Sequence, residues 1–340
     1  MAVTTNVSFL AQSTSQISRL KELHSSLDDL QRQVTTRKKH EDFSGFGVDA
    51  LNLQRLRASK NMTENYLKNI DTVSRRMDLM NQSMNEIIKV SRQVLNAVQV
   101  QGQSAATEMK SVNQLAADSL KFVEDLINQT FEGRYLFAGA DAETAPFIDH
   151  STLNSNFINR ISTWLGGGGN AGLTSAIDGF TSTNLGLSPG LATSSPVTMR
   201  IDDSIDIDYT VKADHAGFKE IIRSLTLLAN LKYPDPVGPP PDVATPAEFQ
   251  GMLDYASDKL SKSIQTMSDT SKSLASKFAL TKSIKDNHEQ DLQTMLTQID
   301  DIENVNPSDA ILSLQSVQSQ LTAAYQVTKI VKDISLVNYL

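Results

Sequence analysis

Residues 307–340 read PSDAILSLQSVQSQLTAAYQVTKIVKDISLVNYL. Leu314, Val317, Leu321, Ala324, Thr328 and Val331 recur at alternating steps of three and four. That spacing draws one narrow stripe down a helix, the seam of a coiled coil rather than a broad globular face. Asn306, Pro307 and Asp309 supply a start: a capping side chain, proline at the first helical position and acidic charge in the first turn. The segment stays apolar toward its tip, through Leu336 and Leu340. A helix with such a seam frays in water unless something covers it. The rest of the chain is therefore read for the cover.

The matching seam lies near the other end. From Ile17 onward, Leu20, Leu23, Leu27, Leu30 and Val34 repeat the same spacing, which predicts a coiled coil joining the two terminal segments. These five residues with Leu314, Val317, Leu321, Ala324, Val331, Leu336 and Leu340 form the candidate assembly seam. Residues 35–47, TTRKKHEDFSGFG, break the period with charge and glycine and predict a joint. A long helix follows over 49–101, with Tyr66, Ile70, Val73, Met77, Met80, Met84, Ile87, Ser91, Val94 and Val98 in unbroken three-four rhythm. The methionines in that stripe read as adaptable packing, not as a metal site. Further helices are predicted over 109–129, 216–231 and 246–302, the last returning antiparallel to 49–101, with 304–306 as a joint facing 35–47.

Between them the chain changes character. Val197, Met199, Ile201, Ile205, Ile207, Tyr209 and Val211 alternate with polar residues, a hairpin pattern turning at Asp202–Ser204. Residues 148–216 thus read as a β-rich insertion, anchored by Trp164, the only tryptophan. The expected fold is mainly α: an elongated antiparallel bundle of long helices with paired terminal coiled-coil helices and a small β-rich inserted domain. The expected domains are 1–40 with 307–340, 41–147 with 217–306, and 148–216.

Composition removes several function classes. A net charge of -8 gives no basic footprint for nucleic acid. With no cysteine there is no disulfide, thiolate metal site or thiol catalysis. No apolar run reaches the length of a membrane span, and the first residues lack the basic and apolar regions of a cleaved signal peptide. The five histidines are scattered, and no phosphate loop, dinucleotide fingerprint, zinc-protease or nucleophile-elbow motif occurs. The aspartates at 202, 203, 206 and 208 lack the glycine and distal glutamate of a calcium loop. No catalytic residue, cofactor or metal is assigned, and an enzyme is not expected.

One stretch is more specific. Residues 128–139, NQTFEGRYLFAG, followed by Pro146-Phe147, resemble the "GRYLFAG…PF" signature of the flagellin family, carried here by Gly133, Arg134, Tyr135, Leu136, Phe137 and Gly139. The closing SLVNYL of residues 335–340 resembles that family's closing sequence. The resemblance covers about 1–147 and 217–340, while residues 35–47 depart from the family's pattern. It implies a structural subunit of the bacterial flagellum, more like the proteins at the hook–filament junction than like the filament-forming flagellins, which are the alternative. A non-flagellar coiled-coil scaffold or secreted effector would explain the seams but neither the signature nor the tail. The resemblance further implies self-association in a helical assembly through the terminal helices, which line an axial channel. It implies a neighbouring hook-associated protein and flagellin as partners, and a cytoplasmic export chaperone on the C-terminal segment. The expected location is extracellular, reached by type III export without a cleaved signal.

Overall fold

The helices follow the long-period stripes. The computed structural model describes residues 2–101, 106–238 and 241–337, with the backbone alone for 2–10, 12, 101, 106–108 and 331–337. The chain is mainly α: α1 Ala2–Thr36, α2 Asp49–Gln101, α3 Ala106–Ile127, α4 His150–Thr163, α5 Gly169–Asp178, α6 Ala216–Asn230, α7 Pro246–Glu303 and α8 Pro307–Val337. Two small antiparallel sheets accompany them, β1 Thr130–Phe131 with β2 Arg134–Tyr135, and β3 Thr198–Arg200 with β4 Asp206–Asp208. The chain divides into two compact units, Met1–Glu64 with Glu289–Leu340, and Asn65–His288.

In the unit Asn65–His288 the methionine stripe is core. Ile70, Val73, Met77, Met80, Met84, Ile87, Val94 and Val98 of α2 are buried, together with Phe249, Leu253, Leu260, Ile264, Met267 and Leu274 of α7. The two helices run antiparallel, because their links pair rising with falling numbers: Ser271 with Asn81, Lys285 with Asp71, and the stacked rings of His288 and Tyr66. α7 begins in a capping box. Thr245 Oγ1 accepts from the Glu248 amide at 3.2 Å, and Glu248 Oε2 accepts from the Thr245 amide at 2.8 Å, just before Pro246.

The segment 148–216 is part of this unit and shares its core. Two helices, α4 and α5, precede the β3–β4 hairpin in it. Asp149 caps α4 by accepting from the Thr152 amide at 2.9 Å. Leu153, Phe157, Ile161 and Trp164 bury one α4 face. The hairpin lies on α2 and α7: Asn69 Nδ2 donates to the Arg200 carbonyl at 3.0 Å, His288 Nε2 meets the Ile201 carbonyl at 2.9 Å, and Lys277 Nζ donates to the Asp208 carbonyl at 2.6 Å.

In the unit Met1–Glu64 with Glu289–Leu340, α1 packs against α8. Lys38 bridges Asn304, and His24 Nε2 lies 2.6 Å from Tyr325 Oη, so the pair is antiparallel. The joint is stapled by backbone bonds. Lys39 N donates to the Glu303 carbonyl at 2.7 Å and Val305 N donates to the Arg37 carbonyl at 3.0 Å. Arg37 takes a left-handed φ of 59° to make the turn. The Arg57 guanidinium closes on the buried Glu303 carboxylate, with Nε 2.7 Å from Oε1. Asn306 caps α8 as the sequence predicts, accepting from the Ser308 amide at 3.0 Å.

Candidate functional site

The candidate seam lies on the faces that α1 and α8 turn toward cover. Leu20, Leu23, Leu27, Leu30 and Val34 of α1 are all half-buried, while their neighbours Lys21, Glu22, Asp28, Asp29 and Gln31 are exposed. On α8, Leu314, Val317 and Ala324 are half-buried, and Leu321 is 9% exposed. The side chains of Val331 and Leu336, and all of Leu340, lie outside the described residues.

The opposite side of α8 is also apolar, and it is open. Leu312 is 64% exposed, Val327 51% and Ile330 57%. At about 100° per residue, these three and Ala323 fall on one side of the helix with the polar Ser316 and Ser319 between them, away from the line through Ala310, Leu321 and Thr328. No charged residue occurs between Asp309 and Lys329. The charge-free stretch 310–328 thus carries apolar residues on two sides, and α1 packs on one of them. This outer strip is readable in the sequence.

The signature residues do something different. Glu132 and Gly133 form a two-residue hairpin turn between β1 and β2, with φ values of 52° and 75°. Two consecutive positive φ values define the turn that matches strand twist, and glycine takes the second without strain. Arg134 is exposed and Tyr135 half-buried. Leu136 and Phe137 are buried, and the Phe137 ring packs edge-on against Phe218 of α6, 5.1 Å between centroids. The buried Arg76 of α2 donates from Nη2 to the Tyr135 carbonyl at 2.6 Å. Burial pushes its guanidinium below the usual arginine range, and burial raises the neighbouring Tyr209 phenol. Asn128 holds the far end of the loop, with Nδ2 donating to the Phe147 carbonyl at 2.8 Å and Oδ1 accepting from the Phe147 amide at 2.9 Å. At Gly139, φ is 67°, and a Cβ would stand 2.5 Å from Ser194 Oγ. The signature is thus a clamp that ties α2, α6 and the 148–216 segment together. Sequence reasoning misses Arg76 and Ser194, whose roles depend on contacts distant in the chain.

The described residues hold no group of three His, Asp or Glu side chains able to bind a metal ion, and no described helix is long and apolar enough to cross a membrane. One cleft of about 560 Å³ lies beside His215 and α7, and is lined by Lys212, Asp214, Asp269, Thr270 and Lys277. Its cations are engaged: Lys212 donates to the Leu191 carbonyl and Lys277 to that of Asp208.

The chain as a whole is similar in fold to one solved structure. That structure, from Vibrio parahaemolyticus and assigned as a flagellar hook-associated protein, matches with a TM-score of 0.53, 11% identity, and coverage of 75% of this chain and 97% of that one. FlgL of Bacillus cereus matches at a TM-score of 0.38 and 12% identity, over 83% and 99% of the two chains. No family profile and no curated protein sequence matches. At 11% identity the match to the Vibrio parahaemolyticus structure is a likeness of fold alone.

Proposed function

We propose that this chain is a structural subunit of the bacterial flagellum that joins hook to filament by self-association through its terminal helices. The observation that carries this reading is α8 itself: one side is packed on α1, and the other exposes Leu312, Val327 and Ile330, with no charged residue between Asp309 and Lys329. An exposed apolar strip of that kind marks a protein–protein contact, and in a self-assembling subunit the partner is another copy. The fold likeness to a flagellar hook-associated protein and the GRYLFAG and SLVNYL resemblances supply the context. The subunit stands between a neighbouring hook-associated protein and flagellin, outside the cell, after export without a cleaved signal. An export chaperone holds the C-terminal segment beforehand.

Seeded assembly tests the reading. Purified protein is added to isolated hook fragments, with the neighbouring hook-associated protein supplied, and the tips are imaged by electron microscopy. A short collar that stops growing is the expected result. Long filaments would make the chain a filament-forming flagellin, and bare tips would overturn a flagellar assembly role.

A further inference from the structure

The helix that carries Phe218 is capped by a titratable side chain. His215 stands at the N-cap of α6, and its ring Nδ1 accepts from the Gly217 amide at 3.2 Å. Such caps are ordinarily oxygens, which keep their lone pairs near neutral pH. An imidazole keeps the needed lone pair only while Nδ1 is unprotonated. Gly217 is buried, so its amide, left without an acceptor, would carry the penalty of a buried unpaired donor. The cap also sits between two attachments to the signature clamp. Ala213 N donates to the Phe137 carbonyl at 2.9 Å on one side, and Phe218 packs on the Phe137 ring on the other.

We propose that His215 is a pH-sensitive catch: protonation of Nδ1 releases the first turn of α6 and its hold on Phe137, so that the unit Asn65–His288 loses stability in mild acid. Three effects act in the same direction. An imidazolium has a proton on both ring nitrogens, so a donor would face the Gly217 donor. It would put positive charge at the positive end of the α6 dipole. The ring is also half-buried, which disfavours its charged form. Burial holds the ring below the ordinary histidine value, with Asp214 opposing and Lys219 assisting. The surrounding charges are already engaged. Asp214 is shared with Lys212, 3.8 Å away. From α7, Asp269 and Lys277 line the same cleft as His215. Asp269 accepts from Gln265 and Lys272, and Lys277 donates to the Asp208 carbonyl. The cleft leaves the ring within reach of solvent protons.

A folded value below the ordinary 6.5 means that the contribution is present above pH 6.5 and is lost as pH falls toward the folded value. At pH 5.0 an unperturbed imidazole is protonated over neutral by about thirtyfold, so a ring kept wholly neutral would lower the folding equilibrium by about that factor. Urea unfolding of the full chain at pH 7.5 and 5.0, followed by Trp164 fluorescence, compares wild type with His215→Asn, whose side-chain oxygen caps a helix without titrating. Between the two pH values the wild type should lose at least about threefold more of its folding equilibrium than His215→Asn. Equal losses overturn the proposal. A second measurement needs no variant. Exchange of the imidazole Cε1 proton in the wild type, read by mass spectrometry on the peptide that holds residue 215, gives the protonation of this ring directly. A midpoint below 6.5 is expected, and one at or above 6.5 overturns the proposal even if His215→Asn does not fold.

Discussion

The two sides of α8 predict opposite behaviour for two leucines nine residues apart. Leu321→Ala removes a buried leucine of the α1–α8 seam, 9% exposed. Full burial of a leucine contributes about 1.5–3 kcal/mol, and truncation in a closed core costs about 2–5 kcal/mol. The seam has half-buried leucines on its α1 side and water along both edges, so it can partly close over the gap. The expected cost therefore sits near the lower limit, about 2 kcal/mol, which is about a thirtyfold change in the opening equilibrium of the pair. Leu312→Ala removes an exposed side chain and should leave that equilibrium within about twofold. Amide exchange of the free chain, followed by mass spectrometry over residues 20–34, reads the difference directly. Protection there should fall about thirtyfold in Leu321→Ala and stay as in wild type in Leu312→Ala. Incorporation onto hook seeds should be reduced in both. Equal protection in wild type and Leu321→Ala would refute the assignment of this face as the one that holds α1. A loss of protection in Leu312→Ala would show that the outer strip is already covered within one chain.

Three further outcomes follow from the larger unit. Gly133→Ala should destabilise it by about 1 kcal/mol, a fall in Tm of a few degrees, because a Cβ at φ 75° meets backbone strain and no neighbouring atom lies within 4 Å; an unchanged Tm would remove the case for the two-residue turn. Asn128→Ala should cost about 2–3 kcal/mol in chemical denaturation, since it leaves both the amide and the carbonyl of Phe147 without their partner. Asp149, held down to about 2 by the Thr152 hydroxyl and amide and the Ser151 hydroxyl, has a folded value below its ordinary 3.8. Its contribution is therefore present above pH 4 and is lost as pH falls toward 2. Asp149→Asn should flatten the difference between those two pH values, as read by the fluorescence of Trp164 at the end of α4; identical acid profiles in the two proteins would refute it.

The parts of the fold that are legible in the sequence are those written in one period along one segment. The seams on α1 and α8, the methionine stripe of α2, and the Asn306-Pro307 start of α8 are all local patterns, and the structure has helices at each. What the sequence hides depends on distance in the chain or on a weak local signal. α4 passes as part of a β-rich insertion, because Leu153, Phe157, Ile161 and Trp164 fill one narrow face on a segment otherwise rich in serine, threonine and asparagine. Its period is short and its polar side resembles a loop. The docking of the hairpin on Asn69 and His288 is invisible for another reason: each partner reads as an ordinary polar residue of a long helix. Arg76 is hidden in the same way. The left-handed turns at Arg37 and Glu132 occur at residues that carry no glycine signal, so neither can be read beforehand.

The assembly seam is half legible, and the missing half has a physical cause. Hydrophobic spacing shows which residues of α8 share a face, but not which face an intramolecular partner will take. That choice is made by the joint. The Lys39–Glu303 and Arg37–Val305 backbone bonds fix where α8 begins relative to α1, and His24 with Tyr325 fixes the pair again further along. A shift of α8 by one residue would turn it by about 100°, carrying Leu321 off the seam and breaking both sets of bonds. The register that buries Leu321 is therefore the register that leaves Leu312, Val327 and Ile330 facing out. On this view the staple at the joint does more than end two helices: by fixing the rotation of α8, it decides which apolar strip is spent inside the chain and which is left for the next copy.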